Sequence, residues 1–193
     1  MLKIVHYPHP ILKRPSKPLR RVDDDLRAMV REMFDLMYKA KGIGLAANQV
    51  DLPLRLFVVN TEGNPEKGQE LVFINPVISR PRGTAEAEEG CLSIPSVYGL
   101  VKRPKEVDVQ AYDLQGNEIT ASLSGMMARV VQHELDHLDG TLFVERMSEA
   151  GKMTVDPELD EFRWEFQNLR STGGIPADAE LAAKWEEWEA KYC

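Results

Sequence analysis

The sequence predicts one globular domain that mixes helices and strands. The chain has 193 residues, 43% of them hydrophobic, which suffices for a sizeable core. Apolar residues recur at helical spacing near the start and again beyond residue 124, while short apolar stretches rich in β-branched and aromatic residues lie between. A Gly-containing turn near residue 115 separates two alternating segments, the pattern of a hairpin. A formal net charge of −7 and a pI near 5.2 speak against nonspecific binding to nucleic acid or anionic membranes. The two cysteines, Cys91 and Cys193, make no disulfide framework, so a reducing compartment is expected. The first residues lack the apolar core and small-residue cleavage site of a leader, and no run of about 18 apolar residues occurs. The expectation is a cytoplasmic protein with no membrane partner.

Residues 1–20 alternate Pro, Lys, Arg and single apolar side chains, which predicts an extended arm over the domain. His6 and His9 fall there and read as surface or hydrogen-bonded histidines. A helix is predicted over 24–41, capped by Asp23 or Asp24, striped by Leu26, Met29, Val30, Met33, Phe34 and Met37, and stopped at Gly42. Then comes Gly42-Ile43-Gly44-Leu45-Ala46-Ala47-Asn48-Gln49. It is either a tight turn into a strand or a place where backbone meets a ligand, with the Gln49 amide as a donor. Strands are predicted over 55–60 and 71–75, and a hairpin over 107–112 and 117–121. A helix over 125–139 follows, capped by Ser124, stopped at Gly140 and apolar on two faces, hence buried. Asp156-Pro157 predicts a helix start by cap plus Pro at its first position. Gly173-Gly174 ends that helix, and Leu181, Trp185 and Trp188 mark a last one. Five acidic residues against two lysines after residue 174 disfavour RNA contact, so this tail is expected to pack back onto the body.

The buried helix carries Gln132-His133-Glu134-Leu135-Asp136-His137. Histidines four apart lie about 40° apart around a helix axis, so both imidazoles share one face. This H-E-x-x-H spacing suits a divalent metal that activates water, with the glutamate as general base. A catalytic site of this type needs a third protein ligand. Glu88-Glu89-Gly90-Cys91-Leu92-Ser93 contains the only interior cysteine, which is either a small buried hydrophobe or that missing ligand. An H-E-x-x-H protease would take its third ligand downstream, where Glu145 is the acidic candidate, but would leave the Cys91 block unexplained. A closed structural site would need a fourth ligand that no second cysteine is placed to supply, and would leave Glu134 without a task.

Three blocks in order, Gly42 to Gln49, Glu89 to Ser93 and Gln132 to His137, together resemble the signature motifs of the peptide deformylases. That resemblance runs from the start to about residue 148 and implies an α+β fold, with antiparallel strands wrapped around a central metal-binding helix. It implies a catalytic unit over 1–148 and a helical C-terminal extension over 149–193 packed on the same domain. It implies Cys91, His133 and His137 as metal ligands, Glu134 as catalytic acid/base, and Gln49 with the backbone N–H of Leu92 as oxyanion donors. Ferrous iron is the metal expected, one per chain, although zinc, nickel or cobalt can occupy such a ligand set. The implied substrates are N-formylmethionyl peptides and nascent chains, which lose formate. Ile43, Gly44, Glu89 and Val130 are the candidate substrate-binding positions, with Met126 on the same helix face. The expected state is a monomer or weak dimer. Two residues depart from the common pattern. Tyr98 stands where many relatives carry arginine, and Arg129 stands where an aliphatic residue is frequent, which leaves Arg129 on the pocket rim or toward solvent.

Overall fold

The computed structural model describes residues 1–193. Its seven strands form two antiparallel sheets. The larger has the order β1 (Gly44–Ala46), β2 (Leu56–Val59), β3 (Leu71–Arg82), β6 (Glu106–Tyr112), β7 (Glu118–Ser124), and the smaller is the hairpin β4 (Ala85–Cys91) and β5 (Ile94–Arg103). The helices are α1 (Asp24–Lys39), α2 (Gly125–Leu138), α3 (Phe143–Arg146), α4 (Glu149–Ser171) and α5 (Asp178–Tyr192). This is the α+β architecture expected. The α1 start is set by Asp23, whose side chain accepts from Leu26 N–H, and the predicted hairpin forms as β6 and β7.

The period-2 geometry of β2 explains how α1 and α2 flank one sheet. Leu56 and Val58 face the α1 side, in a core with Val30, Met33 and Met37. Phe57 and Val59 face α2, in a core with Val130, Val131 and Leu138. A third core lies under the small sheet and joins Cys91, Ile94, Val97 and Val101 to Phe143, Leu159, Leu181 and Trp185. The tail therefore shares a core with the strand that carries the candidate thiol.

Three expectations need correction. Strand β3 runs past Asn75 to Arg82, although Pro76 lacks an amide. Bulges interrupt its register with β6, and Asn75 takes φ 52 there, so the missing donor falls at an irregularity. Hairpin β4–β5 was not expected, because its outward residues are mostly polar and its alternation is incomplete. Helix α4 starts at Glu149 rather than at Pro157. Ser148 caps it by accepting from Gly151 N–H, and Pro157 lies within it, at the cost of one helical hydrogen bond. The arm before α1 is extended apart from a short 3-10 turn, Pro10–Lys13, whose Ile11 and Leu12 are fully buried.

Candidate active site

Helix α2 presents His133 and His137 on one face, with ring centroids 5.0 Å apart. The end of β4 brings Cys91 to them, so that Sγ lies 3.2 Å from His137 Nε2. The ligand atoms of Cys91, His133 and His137 all lie within 4.8 Å of one another. The interior thiol and the helical histidines, 42 and 46 residues apart in sequence, thus converge on one point. One sulfur and two nitrogens make a three-ligand set with an open fourth position, which suits a catalytic divalent ion rather than a closed structural one.

Behind this trio stands a buried ionic lattice. Glu89 Oε2 lies 2.9 Å from His133 Nδ1, which orients the ring so that Nε2 faces the cysteine. Arg103 donates to both Glu89 oxygens at 2.7 and 2.9 Å, and Arg129 donates to Oε1 at 2.6 Å. Arg103 also donates to Asp136, which receives two more bonds from Arg146. Burial works against the Glu89 carboxylate, but the His133 and Arg103 hydrogen bonds outweigh it and hold its pKa far below the usual range. Its side chain is therefore engaged by His133 and the arginines. Arg129 does not project free into solvent, since it also donates to the carbonyls of Val101 and Ala85. The role of Arg103 escaped sequence reading. No local pattern marked it, because the pairing depends on the β4–β5 hairpin that brings Arg103 to Glu89.

Burial disfavours charge on both imidazoles. At His133, hydrogen bonds with Cys91 and Glu89 reverse that effect and raise the pKa, while burial and the neighbouring His133 push His137 well below the ordinary value. Glu134 is 4% exposed, its Oε2 has no hydrogen-bond partner, and burial pushes its pKa up to about 7. Gly44 explains how the carboxyl fits. A Cβ at that position would collide with Glu134 Oε1 and lie 2.9 Å from Val130 Cγ1. The small-residue run thus serves close packing against Glu134 as well as turning the chain.

Gln49 lies in a 3-10 turn, Ala47–Val50, directly after β1. Its Oε1 accepts from Ala46 N–H at 2.9 Å, which aims Nε2 at Ser93 Oγ (3.2 Å) and Cys91 Sγ (3.4 Å). The neighbouring Asn48 ties the turn to α2 by donating to the His137 carbonyl. The Leu92 N–H donates to no backbone carbonyl. Strand β1 is an edge of the large sheet, so Gly44–Ala46 has one side unpaired by any strand. Ile43 is half-buried, Val130 is buried against Gly44, and Met126, one turn earlier on α2, is 57% exposed. Tyr98 covers Gly90, where a Cβ would meet its ring at 2.7 Å, and is 60% exposed. Clefts of about 610 and 600 Å³ lie elsewhere, between the arm and the C-terminal helices or α3, and neither is lined by a residue of the trio. Chemistry rather than cavity size locates the site.

Three protein ligands around an open position, with a carboxyl of raised pKa against them, are the working parts of metal-dependent hydrolases. Comparison with known proteins narrows this class. Residues 1–153 match the polypeptide deformylase family, and the chain belongs to it. It is 52% identical to the peptide deformylase of Rhodopirellula baltica over 191 residues, which cover 99% of this chain and 95% of that one. It is similar to the crystal structure of Arabidopsis thaliana peptide deformylase 1B in complex with an inhibitor, at a TM-score of 0.84 and 39% identity, covering 92% of this chain and 97% of the other. The peptide deformylase of Synechococcus elongatus in complex with actinonin gives a TM-score of 0.75 at 40% identity, covering 89% and 88%. The chain is a hydrolase that removes the N-formyl group from nascent polypeptides.

Proposed function

We propose that Glu134 is the acid/base of deformylation and that Gln49 and the Leu92 N–H receive the charge formed on the formyl oxygen. The observation that carries this reading is Glu134 itself, a buried carboxyl with an unpartnered oxygen beside the Cys91, His133 and His137 donors. Those three residues would hold one divalent ion, which supplies Lewis acidity toward water and the formyl oxygen. Glu134 accepts a proton from the attacking water as the water oxygen bonds to the formyl carbon. The carbonyl electron pair moves onto oxygen, where Gln49 Nε2 and the Leu92 N–H donate to it. One such donor is worth ~3 kcal/mol in the transition state. The C–N bond then breaks, Glu134 returns its proton to the departing amine, and formate and the free amino terminus leave.

Ile43 and Val130 line the apolar space for the methionine side chain of an N-formylmethionyl peptide, and the unpaired edge of β1 at Gly44 adds the peptide as a strand. Ferrous iron is the occupant that family membership suggests, and zinc, nickel or cobalt fit the same thiolate and imidazole set. Residues 1–148 form the catalytic unit, a boundary near the end of the family match at residue 153, and 149–193 an extension whose packing on the same domain is supported by the core they share. The chain works in the cytoplasm as a monomer or weak dimer; a net charge of −7 supports the absence of nucleic-acid contact. No helix is long and apolar enough to cross a membrane.

The test is formate release from formyl-Met-Ala-Ser by protein purified anaerobically with ferrous iron, with Glu134→Ala alongside. The variant is expected to lose at least ~10²-fold in kcat while binding the same metal per chain. Loss of the metal together with the activity would make Glu134 a structural residue instead. Activity that decays in air and returns with ferrous iron is the outcome expected of the iron form, and an air-stable preparation would point to zinc or nickel.

A further inference from the structure

The C-terminal helix reaches the active site from behind. Asp51 ends the Gln49 turn in the left-handed region, at φ 63, a conformation that a non-glycine residue holds with help from its surroundings. That help comes from α5. Trp185 Nε1 donates to Asp51 Oδ1 at 2.7 Å, and Lys184 Nζ donates to the other oxygen. Lys184 is half exposed, whereas Trp185 is 5% exposed, with His9 edge-on to its ring and the Arg14 guanidinium over its face. The indole is therefore the rigid arm of this clamp.

The opposite side of the turn is held by the N-terminal arm. Val5 N–H donates to the Gln49 carbonyl at 2.8 Å, and Tyr7 N–H donates to the Ser93 carbonyl at 2.9 Å. The arm thus joins the two segments that carry Gln49 and Leu92. The Asp51 N–H donates to the Asn48 carbonyl at 3.2 Å and the Leu52 N–H to the Ala47 carbonyl at 3.1 Å, which closes the turn. The turn is thus gripped from outside by the arm at Gln49 and by α5 at Asp51.

We propose that Trp185 is a positioning residue for deformylation: by fixing Asp51 it holds the Gln49 side-chain amide beside Cys91. This rests on the assignment of Gln49 as an oxyanion donor. A donor aimed at developing charge loses much of its effect when displaced by a fraction of an ångström, so the consequence appears in turnover rather than in substrate affinity. Helix α5 lies outside residues 1–153, and the proposal gives that helix a part in catalysis that family membership does not assign.

The test is a double-mutant cycle on the metal-loaded enzyme. Trp185→Phe keeps the ring and removes only the N–H. Tyr192→Phe is the control, because it keeps the ring in the core and removes a different polar contact of α5, from Tyr192 to Asp23, leaving both bonds to Asp51 in place. The expected result is a kcat lowered about 3- to 10-fold in Trp185→Phe, with KM within about twofold, and an unchanged kcat in Tyr192→Phe. In a Gln49→Ala background, Trp185→Phe should have no further effect on kcat. Wild-type kcat in a folded Trp185→Phe overturns the proposal, as does a loss that persists undiminished in the Gln49→Ala background. Wild-type kcat in Gln49→Ala alone overturns the Gln49 assignment, and the positioning role falls with it. The two failures are thereby told apart.

Discussion

At residue 44 the absence of a side chain decides what the neighbouring helix can hold. The Glu134 carboxyl fills the space a Cβ would take, with Val130 closing the other side. Gly44→Ala should therefore act on stability and chemistry together. Overpacking of this kind costs about 1–3 kcal/mol, and a displaced general base lowers kcat by ~10-fold or more. Thermal melting and formate release on the same preparation check both, and wild-type values in the two would show that Glu134 has room to move. Glu89 makes the complementary point. Its sequence position beside Gly90 and Cys91 suggested a substrate contact, but Arg103, Arg129 and His133 occupy its oxygens. A carboxylate so committed fixes the orientation of the His133 ring.

Among the elements, α1 offers the cleanest dependence on pH. Asp23 accepts from Leu26 N–H at its start, and this bond, together with those from Arg21 and Tyr192, holds its pKa at about 2, below the ordinary 3.8. A depressed carboxyl stabilises the fold when ionised. Its contribution is full above about pH 4 and is lost as pH falls through about 2. Asp23→Ala should melt earlier than wild type at pH 6, and the gap should close below pH 2. A gap that stays constant with pH would mean that the cap is not the source of stabilisation. Helix α4 shows where element boundaries mislead. Asp156-Pro157 has the form of a helix start, yet Ser148 caps two turns earlier and the helix tolerates the missing amide of Pro157.

Across the molecule, the arginine lattice ties the small sheet to the metal-binding helix. Arg103 stands on β5, Glu89 on β4 and Asp136 on α2, all at most 10% exposed in their side chains. Removing the cation takes a buried partner from both Glu89 and Asp136, which keep Arg129 and Arg146, so Arg103→Leu should destabilise by about 3 kcal/mol. Breaking the exposed pair Lys13–Glu145 should cost no more than about 1 kcal/mol. Denaturant unfolding of both variants tests the contrast, and equal losses would show that the lattice adds nothing beyond surface pairing.

Local pattern by itself determined α1, α2 and the β6–β7 hairpin, because caps, glycine stops and hydrophobic periodicity act over a few residues. Motif order determined the family and pointed to Cys91, His133, His137 and Glu134, because the spacing of two histidines on a helix is already a geometry. Tertiary structure decided the rest. Arg103 and Arg129 could not be read as partners of Glu89 until β5 and α2 closed over it, since ion pairs between distant residues leave no periodic trace in a chain. The hairpin β4–β5 and the bulged continuation of β3 depended on cross-strand pairing that outweighs weak local propensity. The grip of α5 on Asp51 joins residues 134 positions apart, and only packing of the tail onto the third core brings them into contact.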